Sequence, residues 1–184
     1  MKDRITVRAA ALAAVCLLLS FAQSDPSAAQ LRKRDPLTAL EVEMVRDTQQ
    51  LDARTALFVK IAERRLAAVT GAEQPVSNAK WGELPKGARA DYLADLAAIL
   101  DEAIENVDDV ASRKPDSPLL GKSVRKLAEA STRFLAQLMP LRESIEDGAE
   151  RESLERALDS LQSIIEAAKK MPEEKDEKKP GKKG

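Results

Sequence analysis

The chain of 184 residues has no histidine and a single cysteine, Cys16. Histidine is the commonest general base and the commonest metal ligand, and cysteine supplies most other zinc ligands and thiol nucleophiles. The sequence also has no Walker A, G-x-G-x-x-G or H-E-x-x-H pattern. We therefore expect no catalytic residue, no cofactor and no protein-bound metal, and we expect that the protein is not an enzyme.

Aromatic residues make up 3% of the chain and glycine contributes seven residues, whereas alanine, leucine and the charged residues are frequent. Such a composition favours helices over strands. A core with few aromatic residues must be packed by aliphatic side chains. The formal net charge is −1, and because a nucleic-acid binder needs a basic surplus, we expect no nucleic-acid partner.

The most apolar stretch of the chain, residues 9–21, follows the basic residues Lys2, Arg4 and Arg8 and contains Cys16. This order is typical of a secretory signal peptide. The stretch of about thirteen residues is shorter than the ~20 that a membrane-spanning helix needs. We therefore expect that Cys16 leaves with the peptide instead of remaining in an uncleaved anchor.

Small residues near the end of this segment suit signal-peptide cleavage. Ser27 and Ala29 favour cleavage before Gln30, with Ala22 and Ser24 as a second choice. We expect the cleaved protein to be periplasmic or secreted from a bacterium and to have no stable membrane span. Because it would contain no cysteine, no disulfide could stabilise it and its stability would have to come from its core.

The first segment of the mature chain has an apolar row with seven-residue spacing, which predicts a helix with one core-facing side and is also typical of coiled coils. The row consists of Leu37, Met44, Leu51 and Phe58. Thr38 and Glu41 have the spacing of a capping box at the helix start. Residues 49–52 offer a break, so the sequence leaves open whether this helix is continuous from Thr38 to Val69.

Three further helices are predicted after a long connection. The second covers residues 88–111, and the third begins at Ser117-Pro118, an N-cap followed by proline. Pro140 predicts a kink or a short interruption between residues 138 and 141. We expect the third helix to end at a C-cap formed by Asp147-Gly148 and the fourth to follow and stop before Pro172.

These segments predict an all-α fold, an antiparallel bundle of about four long helices. The expected organisation is a signal peptide at 1–29, a flexible N-terminus at 30–36, a helical bundle at 37–171 and a disordered tail at 172–184. The tail is rich in Lys and Glu and has no apolar side chain apart from proline. It therefore cannot offset the entropy lost on ordering.

Trp81 and Tyr92 are the candidate contact for a partner. Trp81 lies in the connection 70–86, which has no helical period and is read as a loop, and Tyr92 lies near the start of the second helix. Long loops often carry function, and amphipathic rings are frequent at interfaces. The alternative is that Trp81 simply pins its loop to the bundle.

Charged groups on the helices have structural explanations. Asp101, Glu105 and Asp108 share one stripe of the second helix. A hard-cation site is one interpretation, but a solvated helix face is favoured because the stripe lies opposite the apolar row. We expect Arg64-Arg65 and Arg125-Lys126 to be ordinary exposed charges.

The segment LTALEVEMVRD, residues 37–47, resembles the Leu-Thr-x-x-Gln helix start of the small periplasmic holdase chaperones. The similarity covers one helical turn, Glu41 stands where that pattern has glutamine, and the chain has no second copy of the motif. The resemblance suggests chaperone-like activity as an analogy.

Together, the export signal, the amphipathic helices and the missing catalytic residue types predict a non-enzymatic protein of the bacterial envelope that binds a protein partner or itself. The alternative is a periplasmic holdase or apolar-ligand carrier with a groove between the long loop and the kinked third helix. The cluster Leu31-Arg32-Lys33-Arg34, with its three basic residues, also allows a weak contact with an anionic surface.

Overall fold

A computed structural model describes residues 34–74 and 78–171 of the chain. From Asp35 onward, these residues belong to one compact unit. The predicted signal peptide (1–29), most of the predicted flexible N-terminus (30–36) and the predicted tail (172–184) lie outside the described residues. Within the described part, no helix has the length and apolar character needed to cross a membrane.

The described residues form helices and no strand, which confirms the all-α prediction. Four of the helices are 20 to 25 residues long. In chain order the elements are α1 (Ala39–Asp47), α2 (Leu51–Thr70), the short α3 (Asn78–Trp81), α4 (Arg89–Arg113), α5 (Pro118–Leu138), a 3-10 turn (Met139–Glu143) and α6 (Gly148–Lys169). The connection 70–86, for which the sequence predicts a loop, therefore contains one helical turn, α3.

The four long helices surround a common core. Helix α2 packs against α4 and α5, and α6 also packs against α4 and α5. The consecutive helices α4 and α5 touch only lightly, because they face each other across the diagonal of the bundle. The order of the helices around the core is therefore α2, α4, α6 and α5.

The helix directions follow from contacts between their ends. Arg54 near the start of α2 donates to Asn106 near the end of α4, so these helices are antiparallel. Arg89 at the start of α4 pairs with Glu150 at the start of α6, so these helices are parallel, as are α2 and α5. Chain direction alternates from each long helix to the next, as an antiparallel bundle predicts. The diagonal step from α4 to α5, however, makes two neighbouring pairs parallel.

The first predicted helix is broken. Helix α1 ends at Asp47 and α2 begins at Leu51, with extended backbone at Thr48 and Gln50. The capping box at the start of α1 is confirmed, because the amide of Glu41 donates to Thr38 Oγ1 at 3.2 Å and the Thr38 amide donates to Glu41 Oε2 at 2.9 Å. As a result α1 folds back along α2 instead of extending it.

The ends of α5 follow the local sequence. Ser117 is its N-cap and Pro118 its first residue, as predicted. The helix ends at Leu138, and Pro140 lies in the 3-10 turn that follows, which confirms the predicted interruption. Proline lacks the amide that an α-helix needs, and its ring crowds the preceding turn.

The predicted C-cap at Asp147-Gly148 is wrong. Asp147 is the N-cap of α6, where its carboxylate accepts from the amide of Glu150 at 2.8 Å, and Gly148 is the first residue of α6. The amides at a helix start have no partner within the helix, so an aspartate at this position supplies the missing acceptor. The Asp-Gly pair therefore marks a beginning and not an end.

Candidate functional site

Four charged side chains are buried where α1, α2 and α4 meet. Glu41, Arg64 and Arg65 have 0% of their surface exposed and Asp95 has 3%. Charged residues are almost never buried so completely unless they are paired. We refer to these four residues as the buried charge cluster.

Glu41 is the centre of the cluster, and both of its carboxylate oxygens are occupied. Arg64 Nη1 donates to Oε1 at 2.5 Å. Arg65 binds in a bidentate manner, with Nη1 3.0 Å from Oε1 and Nη2 2.6 Å from Oε2. The Thr38 amide is a fourth donor. Bidentate pairing fixes the relative orientation of the two groups, so α1 has a defined position on α2.

Arg64 also binds the end of the long connection. Its Nη2 donates to the carbonyl of Gly82 at 2.6 Å and its Nη1 lies 3.3 Å from the carbonyl oxygen of Trp81. The guanidinium carbon lies 5.8 Å from the centre of the Trp81 ring, within the range of a cation–π interaction. Arg64 thus joins α1 and the chain after α3 to the same point of α2.

Arg65 makes two further contacts on the other side of the cluster. Its Nη2 donates to the carbonyl of Pro36 at 2.7 Å, which holds the chain that precedes α1. Its Nε lies 3.7 Å from Asp95 Oδ2 on α4. The cluster therefore links α2 to α1, to its leading segment, to the long connection and to α4.

The electrostatics of the buried charge cluster favour the ionised form of Glu41. Burial alone would raise the pKa of Glu41, but the hydrogen bonds from Arg65 and Thr38 and the charges of both arginines outweigh burial and lower it. Burial lowers the pKa of Arg64, and the charge of Glu41 opposes that shift. Since the Glu41 oxygens are already occupied by protein donors, the cluster has the properties of a structural clasp.

The expectation that Arg64 and Arg65 are exposed is wrong, because both are fully buried. The sequence contained a signal for this burial. Arg65 is the next position, after Phe58, of the seven-residue row that faces the core. The sequence predicts a solvated charge at this position because the partner Glu41 is distant in sequence. Lys126, also expected to be exposed, is half-buried, with Nζ 3.4 Å from the Asp52 carbonyl oxygen.

The structure places both candidate partner-contact residues against the protein itself. Trp81 is buried, with 5% of its surface exposed, beside the buried charge cluster. Tyr92 is half-buried and packs against the hydrophobic core. These positions give both side chains a packing role, and a partner contact through them stays a prediction.

An open apolar groove lies between the last third of α4, the first half of α5 and the last third of α6. Its volume is about 250 Å³. It is lined by Ile104, Val107, Asp108, Val124, Leu127, Ser163, Ile164 and Ala167. We refer to it as the apolar groove. It lies at the end of the bundle opposite to the long connection and the Pro140 turn. The sequence instead predicts a groove between those two segments.

The acidic stripe of α4 runs along this end of the bundle. Asp101 is half-buried and accepts from Ser160 Oγ at 2.7 Å, whereas Glu105 and Asp108 are exposed. Across residues 34–74 and 78–171, no three carboxylate, histidine or cysteine side chains lie close enough to hold a metal ion. The stripe therefore contributes negative charge to the surface beside the apolar groove.

Comparison of the chain with models of protein families, with curated proteins and with solved structures finds no match in any of the three.

Proposed function

We propose that this is an exported, non-enzymatic helical protein that acts in the bacterial envelope by binding a protein partner or a second copy of itself. The observation that carries this proposal is the apolar groove, an opening between helices whose other apolar side chains form a common core within the described residues. Apolar side chains that stay open to solvent in a groove can receive the apolar anchor of a partner. The signal-peptide pattern of residues 1–29 supports the compartment.

The size and rim of the groove suggest what it binds. Its volume of about 250 Å³ is smaller than the ~300–1,000 Å³ of small-molecule sites, and it suits the apolar anchor of a peptide or helix. Asp108 lines it, and Glu105 and Asp109 are exposed nearby on α4. Because complementary charge guides recognition, the proposed partner carries an apolar anchor flanked by basic residues.

The buried charge cluster supports the non-enzymatic part of the proposal. A general acid or base must reach its substrate directly or through one water molecule. Glu41 and both arginines have no exposed surface, and the carboxylate oxygens of Glu41 are occupied by four protein donors. These groups stabilise the fold, and the open surface of the groove carries no comparable set of polar groups.

In-cell crosslinking followed by mass spectrometry tests the proposal. Ser163 is exposed and lines the groove, so Ser163→Arg places a long, positively charged side chain there without disturbing the core. Gln162→Arg adds the same charge at the neighbouring exposed position and is the matched control. We expect the native protein and Gln162→Arg to crosslink to the same envelope protein, and Ser163→Arg to lose that product.

The same experiment separates the competing functions. A single reproducible partner supports an interaction module, whereas a set of unrelated unfolded clients that Ser163→Arg removes supports the holdase or carrier alternative. Identical products from all three chains would contradict the assignment of the groove as the binding surface.

A further inference from the structure

The break between α1 and α2 contains no residue that forces a turn. Residues 48–50 are Thr-Gln-Gln and include neither glycine nor proline. Thr48 has φ −90° and ψ 97°, and Gln50 has φ −75° and ψ 131°. The side chain of Gln50 makes no capping hydrogen bond to α2. Local sequence therefore permits a continuous helix through a position where the structure has a turn.

The apolar row also continues through the break. Leu37, Met44, Leu51 and Phe58 keep their seven-residue spacing from the start of α1 into α2. In a continuous helix this spacing would place all four side chains on one face. The seven-residue pattern thus favours a helix that the folded chain interrupts.

The buried charge cluster holds α1 in its folded-back position. Glu41 of α1 pairs with Arg64 and Arg65 of α2, and all three side chains are fully buried. Removing α1 would leave two buried guanidinium groups without this partner, which is strongly unfavourable. If α1 moves away from its own α2, an equivalent carboxylate must therefore take the place of Glu41 beside the two arginines.

The register of the α1–α2 hairpin is symmetric about a point just after the break. Glu41 lies beside Arg64 and Arg65, and the carbonyl of Thr48 accepts from Arg54 Nε at 2.7 Å. Contacting positions therefore lie at nearly equal distances on either side of a point near Asp52. If the turn straightened, two copies could pair antiparallel about a two-fold axis at this point, with the same contacts made between chains.

We propose that a second copy of this chain is a binding partner and that the two copies exchange α1. In the exchanged dimer residues 48–50 are helical, α1 and α2 form one helix, and Glu41 of each copy binds Arg64 and Arg65 of the other. This inference rests on the self-association part of the proposed function and specifies its surface. It does not depend on the apolar groove.

The balance between monomer and exchanged dimer depends on the protein concentration and on the conformation of residues 48–50. Monomer and exchanged dimer make the same α1–α2 contacts, so the monomer gains from its high effective concentration of α1. The dimer gains the helical hydrogen bonds of the straightened turn. Changes confined to the turn should therefore shift dimerisation without altering the buried charge cluster.

A matched pair of substitutions at Gln50 tests the proposal. Proline fits φ −75° in the folded-back form but costs ~3 kcal/mol inside a continuous helix, so Gln50→Pro should lower the dimer association constant about a hundredfold for each exchanged turn. Gln50→Ala favours the helix and should raise it severalfold. Each protein is refolded at high concentration, and the dimer fraction is measured by size-exclusion chromatography with light scattering.

Three outcomes are distinct. Dimers that form with native protein, increase with Gln50→Ala and disappear with Gln50→Pro support exchange. Dimers that are equally abundant in all three proteins overturn exchange but leave self-association standing on another surface. Monomers alone, for native protein and for Gln50→Ala, overturn exchange and self-association, while partner binding through the groove is unaffected. If Gln50→Pro does not fold, the comparison of native protein with Gln50→Ala decides the question.

Discussion

The two ends of the bundle differ in which side chains they bury and which they leave open to solvent. At one end, Glu41, Arg64 and Arg65 are charged and fully enclosed, and each is bound by protein groups. At the other end, Ile104 and Val124 are apolar and remain partly open to solvent in the groove. The end that contains the buried charges is thus closed, whereas the other end has an apolar groove that is open to solvent.

This difference shows why residue type alone is a poor guide to the site. Buried charged side chains that pair across segments, as Glu41 does with Arg64 and Arg65, fix how those segments are placed. Apolar side chains that remain accessible are free to gain burial from a partner. The substitutions below separate stability at the first end from binding at the second.

The largest expected effect is on stability at the closed end. Glu41→Ala leaves two buried arginines without their carboxylate and should lower the free energy of unfolding by about 3–5 kcal/mol. Glu43→Ala changes an exposed glutamate of the same helix and should change it by less than about 0.5 kcal/mol. Urea unfolding followed by circular dichroism measures both. Equal effects of the two substitutions would contradict the clasp.

Trp81→Ala is expected to be almost as severe. The ring is buried against Arg64, and truncation of a buried tryptophan typically costs about 3–5 kcal/mol. Partner crosslinking of this variant, at a temperature where it is folded, distinguishes its two interpretations. Lower stability with unchanged crosslinks makes Trp81 a pin for the long connection, whereas lost crosslinks would make it a partner contact.

The acid dependence of stability should be smaller and should have a definite sign. Because the folded pKa of Glu41 is below its unfolded value, the unfolded chain binds the proton first as pH falls. The contribution of Glu41 to the free energy of unfolding is fully present above about pH 4.3, the ordinary glutamate pKa. This contribution is lost as pH falls through the folded pKa. Glu41→Gln should flatten the acid limb of urea-unfolding free energies measured between pH 7 and pH 3.

Glu102 provides a comparison of opposite sign. Burial, together with the charges of Asp35 and Glu105, raises the pKa of Glu102. Its folded pKa is therefore above its unfolded value, and protonation on acidification relieves an unfavourable charge. Glu102→Gln should make the acid loss steeper than in the native protein, and a flatter limb would contradict this assignment.

The smallest effect on stability is expected at the open end. Ser163 is exposed, so Ser163→Arg should change the free energy of unfolding by less than about 0.5 kcal/mol, like other surface substitutions. Its effect should be on partner binding alone. A large loss of stability would show that the groove is part of the packed core.

Local features of the fold were predictable because they depend on neighbouring residues. The capping box of Thr38 and Glu41 and the interruption at Pro140 both involve contacts within a few positions. An Asp-Gly pair suits either terminus of a helix, so the sequence predicts a C-cap at Asp147-Gly148 where the structure has an N-cap. Only the position of the next helix decides which terminus it serves.

Three features depend on contacts between distant parts of the chain. They are the diagonal arrangement of α4 and α5, the folded-back α1 and the buried charge cluster. Glu41 and Arg64 are 23 positions apart, and no local pattern connects them. The position of the apolar groove follows from the same tertiary packing of three helices, so periodicity could predict apolar faces but not which part of them stays open. Trp81 and Tyr92 were singled out by residue type, which does not reveal burial.

Site-specific photo-crosslinking in cells tests the contrast between the two ends most directly. A photoreactive side chain replaces Ser163 in the groove or, in a second chain, Glu83, which is exposed beside the buried charge cluster. We expect position 163 to capture a protein other than this chain and position 83 not to capture one. Capture from position 83 alone would contradict it and would move the binding surface to the closed end.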